Sequence, residues 1–194
     1  MKIKTFILIL ALAAPICNIN AQEPKHEISV SYGVLPNSLW LDGVQSFFEA
    51  LFGQKKDTRN YVGPIGLEYH YRVNPLIGVG AVAVYSHHEE DLLKDDAVIR
   101  SRNKNYYTIM PSVKFNWLRR DHWGLYSKVA IGASLFNQKM KEAETGQKTD
   151  ENKVNFNFQA SAIGVEVGSG TIYGFFEAGI GEQGVFLGGV RAKF

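Results

Sequence analysis

Apolar and polar residues alternate along most of this chain with a period of two. Ile28, Val30, Tyr32 and Val34 interleave with Glu27, Ser29, Ser31 and Gly33. Ile65, Leu67, Tyr69, Tyr71 and Val73 interleave with Gly66, Glu68, His70 and Arg72. Ile77, Val79, Ala81, Ala83 and Tyr85 form the apolar set of a third segment. Tyr107, Ile109, Val113, Phe115 and Trp117 belong to a fourth, and Trp123, Leu125, Val129, Ile131, Ala133 and Leu135 to a fifth. A weaker sixth segment runs from Val154 to Val167, a seventh from Thr171 to Ile180, and an eighth from Val185 to Phe194. A period of two gives an extended chain one apolar and one polar face, so each segment is predicted as a strand. The longest apolar run after the leader, Leu76 to Tyr85, is half a transmembrane helix but suits a tilted transmembrane strand.

The connections alternate in length. Asn74-Pro75, Leu118–His122 and Gly168–Gly170 are short, whereas 35–59, 88–103 and 138–153 read as long loops. The last connection, Gly181–Gly184, is short again. Short turns at one end and long loops at the other are the pattern of an outer-membrane barrel. The expected fold is therefore all-β: an eight-stranded antiparallel up-and-down transmembrane β-barrel, with both termini at the short-turn end. Tyr71, Trp117, Trp123 and Phe194 stand at that end, and Tyr61, Tyr85 and Tyr107 at the other, as rings do at membrane–water interfaces. Two prolines strain the reading. Pro64 fits a rim, and Pro111, in mid-strand, calls for a bulge. The sixth segment puts Phe156 and Phe158 on the face that later carries Glu166, which calls for a change of register.

The first residues set the compartment. A basic start at Lys2 and Lys4, an apolar stretch from Thr5 to Ile16 and a small residue at Ala21 read as a secretory signal peptide over 1–21. The barrel domain is then 22–194. The one cysteine, Cys17, falls in the leader, which leaves no disulfide, thiolate or cysteine–metal chemistry for the rest. Ile16 before Cys17 is too large for a lipoprotein site. Without Lys2 and Lys4 the 21 basic residues fall into balance with the 19 acidic ones. That balance argues against a nucleic-acid partner. A hydrophobic content of 45% excludes wholesale disorder, and a mean hydropathy of −0.12 excludes a bundle of membrane helices.

Candidate chemistry begins on the polar face. Glu27, Glu68, Glu166 and Glu177 share it with Arg72, Lys114, Lys128 and Arg191. Eight strands enclose just enough room for side chains, so these charges are expected to pair inside the barrel as a salt-bridged filling. The alternative is a gated ion or proton path. His87-His88-Glu89-Glu90-Asp91 offers metal-ligand types, but adjacent strand residues face opposite ways, and a solvated acidic loop is the plainer reading. His70, on one face with Glu68, is a candidate base, although none of the five histidines is followed two residues later by a serine. No catalytic residue, metal site or cofactor is assigned.

The first long loop is predicted to hold a short helix, roughly Leu39 to Phe52. Trp40, Val44, Phe47, Phe48, Leu51 and Phe52 fall on one arc at 100° per residue, with Asp42, Gln45, Ser46 and Glu49 opposite. Ser38 suits its start and Gly53 its end. So large an aromatic face must lie on something, either the outer lipid interface or the barrel mouth.

The leader, the eight alternating segments and the terminal Val190-Arg191-Ala192-Lys193-Phe194 together resemble the small OmpA/OmpX-like outer-membrane β-barrels of Gram-negative bacteria. The Tyr32-Gly33-Val34-Leu35-Pro36 start and the Phe-rich loop are similar to uncharacterised barrels of Bacteroides-type bacteria. The resemblance implies an outer-membrane location and a barrel-assembly signal at Phe194. It also implies contact with membrane lipid, lipopolysaccharide and the barrel-assembly machinery, and, through the loops, with a host or envelope protein. The expected function is non-enzymatic: a monomer presenting external loops for surface contact, adhesion or envelope stabilisation. The rival readings are a lipid A-modifying enzyme and a soluble, lipocalin-like ligand carrier with the apolar faces turned inward.

Overall fold

The structure is a computed structural model that describes residues 24–36, 55–94, 97–142 and 148–194. Side chains at 55–61, 90–94, 97–100, 140–142 and 148–150 are left undescribed. The leader 1–21 with Cys17, and the loop helix Leu39–Phe52 with Trp40, Val44, Phe47, Phe48, Leu51 and Phe52, lie outside the described residues.

Eight strands run β1 (His26–Val34), β2 (Lys55–Arg72), β3 (Ile77–Lys94), β4 (Ala97–Arg119), β5 (Trp123–Glu142), β6 (Lys148–Ser169), β7 (Ile172–Gly181) and β8 (Phe186–Lys193). Each pairs antiparallel with its neighbours in the chain, and β1 pairs with β8 to close an up-and-down barrel. At the seam His26 and Phe194 exchange backbone hydrogen bonds of 2.8 and 2.9 Å, and their rings stack at 5.6 Å.

The two faces of each strand set the inside and the outside. Leu67, Ile109, Val113, Ile131 and Val190 point out and are exposed, whereas the alternate positions are buried. A soluble carrier needs the opposite arrangement, with apolar side chains lining the cavity. Trp117 and Tyr107, on the outer face of β4, stand at the two ends of the apolar band. Ten residue steps on a strand tilted by about 40° give a band about 25 Å tall. Inside, a small apolar patch of Val82, Val84, Met110 and Ala130 lies on β3–β5, and polar groups take most of the remaining space. Gly164 on β6 faces the ring of Tyr126 at a distance that leaves no room for a Cβ, so a glycine there is what admits the tyrosine.

The long loops expected at 88–103 and 138–153 are instead paired strand. β3 and β4 stay paired up to Lys94 and Ala97, with a register shift between Leu92 and Leu93, and β5 and β6 stay paired up to Lys141 and Lys148. β2 likewise begins at Lys55, inside the span expected to be loop. Above Tyr85 and Tyr107 the sequence loses its period-two hydropathy contrast, while backbone pairing continues. Cross-strand polar contacts accompany it, such as Asn103 to Glu89 at 3.3 Å and Asn137 to Asn152 at 2.6 Å. β1, β7 and β8 have only 9, 10 and 8 residues, against 18 to 23 in β2–β6. The wall is therefore one-sided, with a five-stranded sheet rising beyond the other three strands.

Two of the irregularities fall where a proline and the sixth segment's phenylalanines called for them; others lie at Thr58/Asn60, Leu92/Leu93 and Asn116/Leu118. β6 carries one extra residue relative to both neighbours: registers shift between Ser161 and Ile163 against β7, and between Tyr126 and Lys128 against β5. Ala162 and Ile163 are both exposed, after which Gly164 and Glu166 point inward. That bulge turns Phe156 outward and Glu166 inward on one strand. Pro64 lies in a register shift between Val62 and Ile65. Pro111 does not need the bulge expected of it. Pairing with β5 lapses at Met110 and Pro111 and resumes at Ser112 in the same register, while β3 pairs straight through Pro111.

Deleting Ala162 removes the bulge yet keeps every flanking side chain on its face, so this variant is expected to fold. Deleting Val129 from the unbulged stretch of β5 flips one half of that strand, and it is expected not to fold. Heat-dependent gel mobility after refolding distinguishes the two, and loss of folding in the Ala162 deletion would refute the bulge.

Candidate functional site

The closed wall brings the inward positions of all eight strands to a common axis. Glu27, Glu68, Arg72, Lys114, Lys128, Glu166, Glu177 and Arg191 all lie there, each at most 6% exposed. Arg191 on β8 is at their centre. Its guanidinium is 2.7 Å from Glu166, 3.7 Å from Glu27, and 3.8 Å from both Glu68 and Glu177. It also lies over the rings of Tyr126 and Phe175, at 4.9 and 4.4 Å from their centroids.

Two groups of ion pairs meet at this arginine. Toward the short-turn end, Glu27 pairs with Arg72 at 3.1 Å and Lys114 at 2.8 Å. Glu166 pairs with Lys114 at 3.3 Å and with Lys193 at 2.5 Å. Toward the other end, Lys128 bridges Glu68 at 2.5 Å and Glu177 at 2.9 Å. The Tyr126 hydroxyl and Ser161 both donate to Glu177, at 2.7 and 2.6 Å. Four carboxylates thus face five cations, and every carboxylate has at least two partners. Pairing of this density is what makes such burial tolerable, because an unpaired ion in a dry interior costs several kcal/mol.

Above the network the short β7–β8 turn folds inward. Glu182 and Gln183 are buried. Gln183 donates through its side chain to Glu68 at 2.7 Å and through its backbone to Gln159 at 2.8 Å. Asn157 donates to Glu182 at 2.8 Å. Gly181 and Gly184 flank the turn with φ of 138° and 111°, conformations that favour glycine. Lys193, Tyr126, Glu182 and Gln183 had no assigned role in the sequence. Lys193 alternates in phase with Arg191, so its pattern carried the information. The turn residues have no periodic address at all.

The remaining candidates are dispersed. His70 Nε2 is 2.9 Å from Ser112 Oγ, a base beside a hydroxyl. Both are buried among the interior groups, sealed from lipid by the wall. His87 points outward, 2.8 Å from Asn105 and 3.4 Å from Glu89, whereas His88 points inward with its ring edge-on to Tyr106. Among the described residues no group of three or more His, Cys, Asp or Glu is placed to hold a metal. Phe194 sits at the seam on the short-turn end, stacked on His26.

No family model matches the chain, nor does any curated protein. Among solved structures it is similar to Ail, the attachment invasion locus protein of Yersinia pestis. Identity there is 15% over 89% of this chain and 100% of that one, with a TM-score of 0.46. It is likewise similar to Ail in complex with the heparin analogue sucrose octasulfate, at 13% identity over 89% and 98% of the two chains and a TM-score of 0.46.

Replacing Arg191 with Met leaves Glu68 and Glu177 to share Lys128 alone. The expected loss is about 3–5 kcal/mol of folding stability, partly recovered when Glu177→Gln is added. Urea unfolding of the refolded barrel measures both. An unchanged midpoint in Arg191→Met would remove this residue from the centre of the network.

Proposed function

We propose that this chain is an integral barrel of a Gram-negative outer membrane, exported by a cleaved leader over residues 1–21. It works there without catalysis, holding a raised sheet of paired hairpins for contact with surfaces outside the cell. The observation that carries the reading is the inversion of the two faces: apolar side chains outside over a band about 25 Å tall, paired charges inside. Water favours the opposite arrangement, so a hydrocarbon solvent is the setting that accounts for it.

The interior supports a scaffold over a conduit. Arg191, Tyr126, Lys114 and Lys128 are fully buried and fill the section where an ion path would run. The lipid A-modifying alternative needs a nucleophile and base open to lipid, and the His70–Ser112 pair is enclosed. What remains free to act is the part of β2–β6 beyond Tyr85 and Tyr107. Its partners, in this reading, are lipopolysaccharide and a host or envelope protein. The terminal Phe194, at the seam on the periplasmic side, suits an address read by the assembly machinery, and the barrel acts as a monomer.

Arginine at Val113, near the middle of the band, is expected to cost about 2–4 kcal/mol in lipid vesicles, and at Leu135, level with the tyrosines, about 1 kcal/mol or less. Equal costs in denaturant titrations would count against a membrane setting.

The contact role is tested in cells. Replacing 91–100 and 141–149 by tight turns is expected to leave surface level and heat-dependent mobility intact while abolishing adherence to epithelial monolayers. Deleting Phe194 is expected to do the reverse, lowering surface level first. Full adherence of the trimmed barrel would overturn the role given to the hairpins.

A further inference from the structure

The outer face of β3–β6 changes character row by row, and the rows align in register. Ala83, Ile109, Ala133 and Phe156 form one row, and Tyr85, Tyr107, Leu135 and Val154 the next. His87, Asn105, Asn137 and Asn152 form the row beyond. One apolar row, one aromatic row and one amide row thus follow each other within two residue steps on either side of the band's edge.

Below the tyrosines the surface is hollow. Ala81 and Ala83 lie in a furrow between Leu67 on β2 and Ile109 on β4. Two hollows, of about 630 and 260 Å³, share Leu67, Ala83 and Ile109. The larger one ends at Tyr85 and Tyr107, whose rings meet at 5.2 Å between centroids. Small residues flanked by large ones make a channel along the strand direction, the shape of an extended hydrocarbon chain.

Above the tyrosines the polar groups are already tied together. Tyr85 Oη donates to Asn105 Oδ1 at 3.3 Å, and His87 Nδ1 lies 2.8 Å from the same oxygen. Asn105 donates to Asn103 at 3.3 Å, and Asn137 Nδ2 donates to Asn152 Oδ1 at 2.6 Å. This last bond, on β5 and β6 above Leu135 and Val154, leaves Asn137 Oδ1 and Asn152 Nδ2, one acceptor and one donor, with no further bond among the described residues. An acceptor next to a donor matches the hydroxyls of a sugar. Charge decides against a phosphate. In the next row of the same face Glu89 and Lys139 flank Asn103 with opposite charges. No cluster of cations stands on this outer face among the described residues.

We propose that this face is a binding site for a glycolipid of the outer leaflet: one acyl chain in the Ala81–Ala83 furrow, and an uncharged sugar headgroup on Asn137 and Asn152. The tyrosine pair marks the boundary between the two halves of the ligand. The site rests on the membrane setting proposed above.

The test uses the full barrel in phosphatidylcholine nanodiscs that also hold equal molar amounts of a digalactosyl diacylglycerol and a bisphosphorylated lipid A. Native mass spectrometry after detergent release counts which lipids stay bound. The galactolipid is expected to be retained about fivefold over phosphatidylcholine, the return on one well-placed donor–acceptor pair. N137A/N152A is expected to abolish that preference without changing the total lipid retained. A83L, which fills the furrow with another apolar side chain, is expected to do the same while heat-dependent mobility stays normal. Preference for the phosphorylated lipid, no preference, or a preference that survives both variants would overturn the site. A barrel that does not enter the nanodisc overturns the membrane setting and the site with it, whereas one that enters without preference overturns the site alone.

Discussion

One guanidinium holds four carboxylates. Arg191 comes from the last strand and meets Glu27 of β1, Glu68 of β2, Glu166 of β6 and Glu177 of β7. None of these charges is tolerable alone at such burial, and although Glu27 meets Arg72 and Glu177 meets Arg191 across adjacent strands, the full set of partners is assembled only when the barrel is closed. Closure and full neutralisation are therefore one event. Lys114 and Lys128, from β4 and β5, carry the pairing across to the far wall. The network spans every strand but β3 and thereby ties the hydrogen-bonded cylinder together from within. The planar fork of arginine suits this position, because it presents several donors in fixed directions and lies flat on Tyr126 and Phe175.

In the reading proposed above, a filled interior leaves function to the outside. With the axis occupied by ion pairs and the β7–β8 turn folded over them, the surfaces open to a partner among the described residues are the outer wall and the raised edge. The unequal strand lengths build that edge. Five strands continue past the tyrosines, while three stop short, and the turn between β7 and β8 is drawn inward through Glu182 and Gln183. The turn contributes to the interior what the hairpins contribute to the exterior, polar groups held by a paired backbone.

The same wall solves two solvation problems with one period. Within the band, alternate residues separate lipid from ion pairs. Beyond the band, the alternation of hydropathy ceases while the hydrogen-bond ladder does not, and amides take over the outer row. Backbone pairing needs no apolar side chain, only a neighbouring strand, and the band gives β3–β6 that neighbour in register.

The sequence alone determined the strands inside the band, their number, their faces and the eight inward charges, because a period of two writes the face of each residue directly into the order of the chain. It erred at two kinds of place. At 88–103 and 138–153 the order of residues carries no period-two hydropathy contrast to read, and strand was taken for loop. At Pro111 the missing donor was expected to need a bulge, but the ladder with β5 merely lapses at Met110 and Pro111 and resumes in the same register. Only the tertiary structure decided which charges pair, since Arg191 is separated from Glu27 by almost the whole chain and the partners depend on register and shear. It alone brought Gln183 onto Glu68 and set Asn105, Asn137 and Asn152 in one row. Alternation says which way a side chain points, but the neighbour it meets there is chosen by the register between strands, which is an interaction of the whole closed barrel and of no single segment.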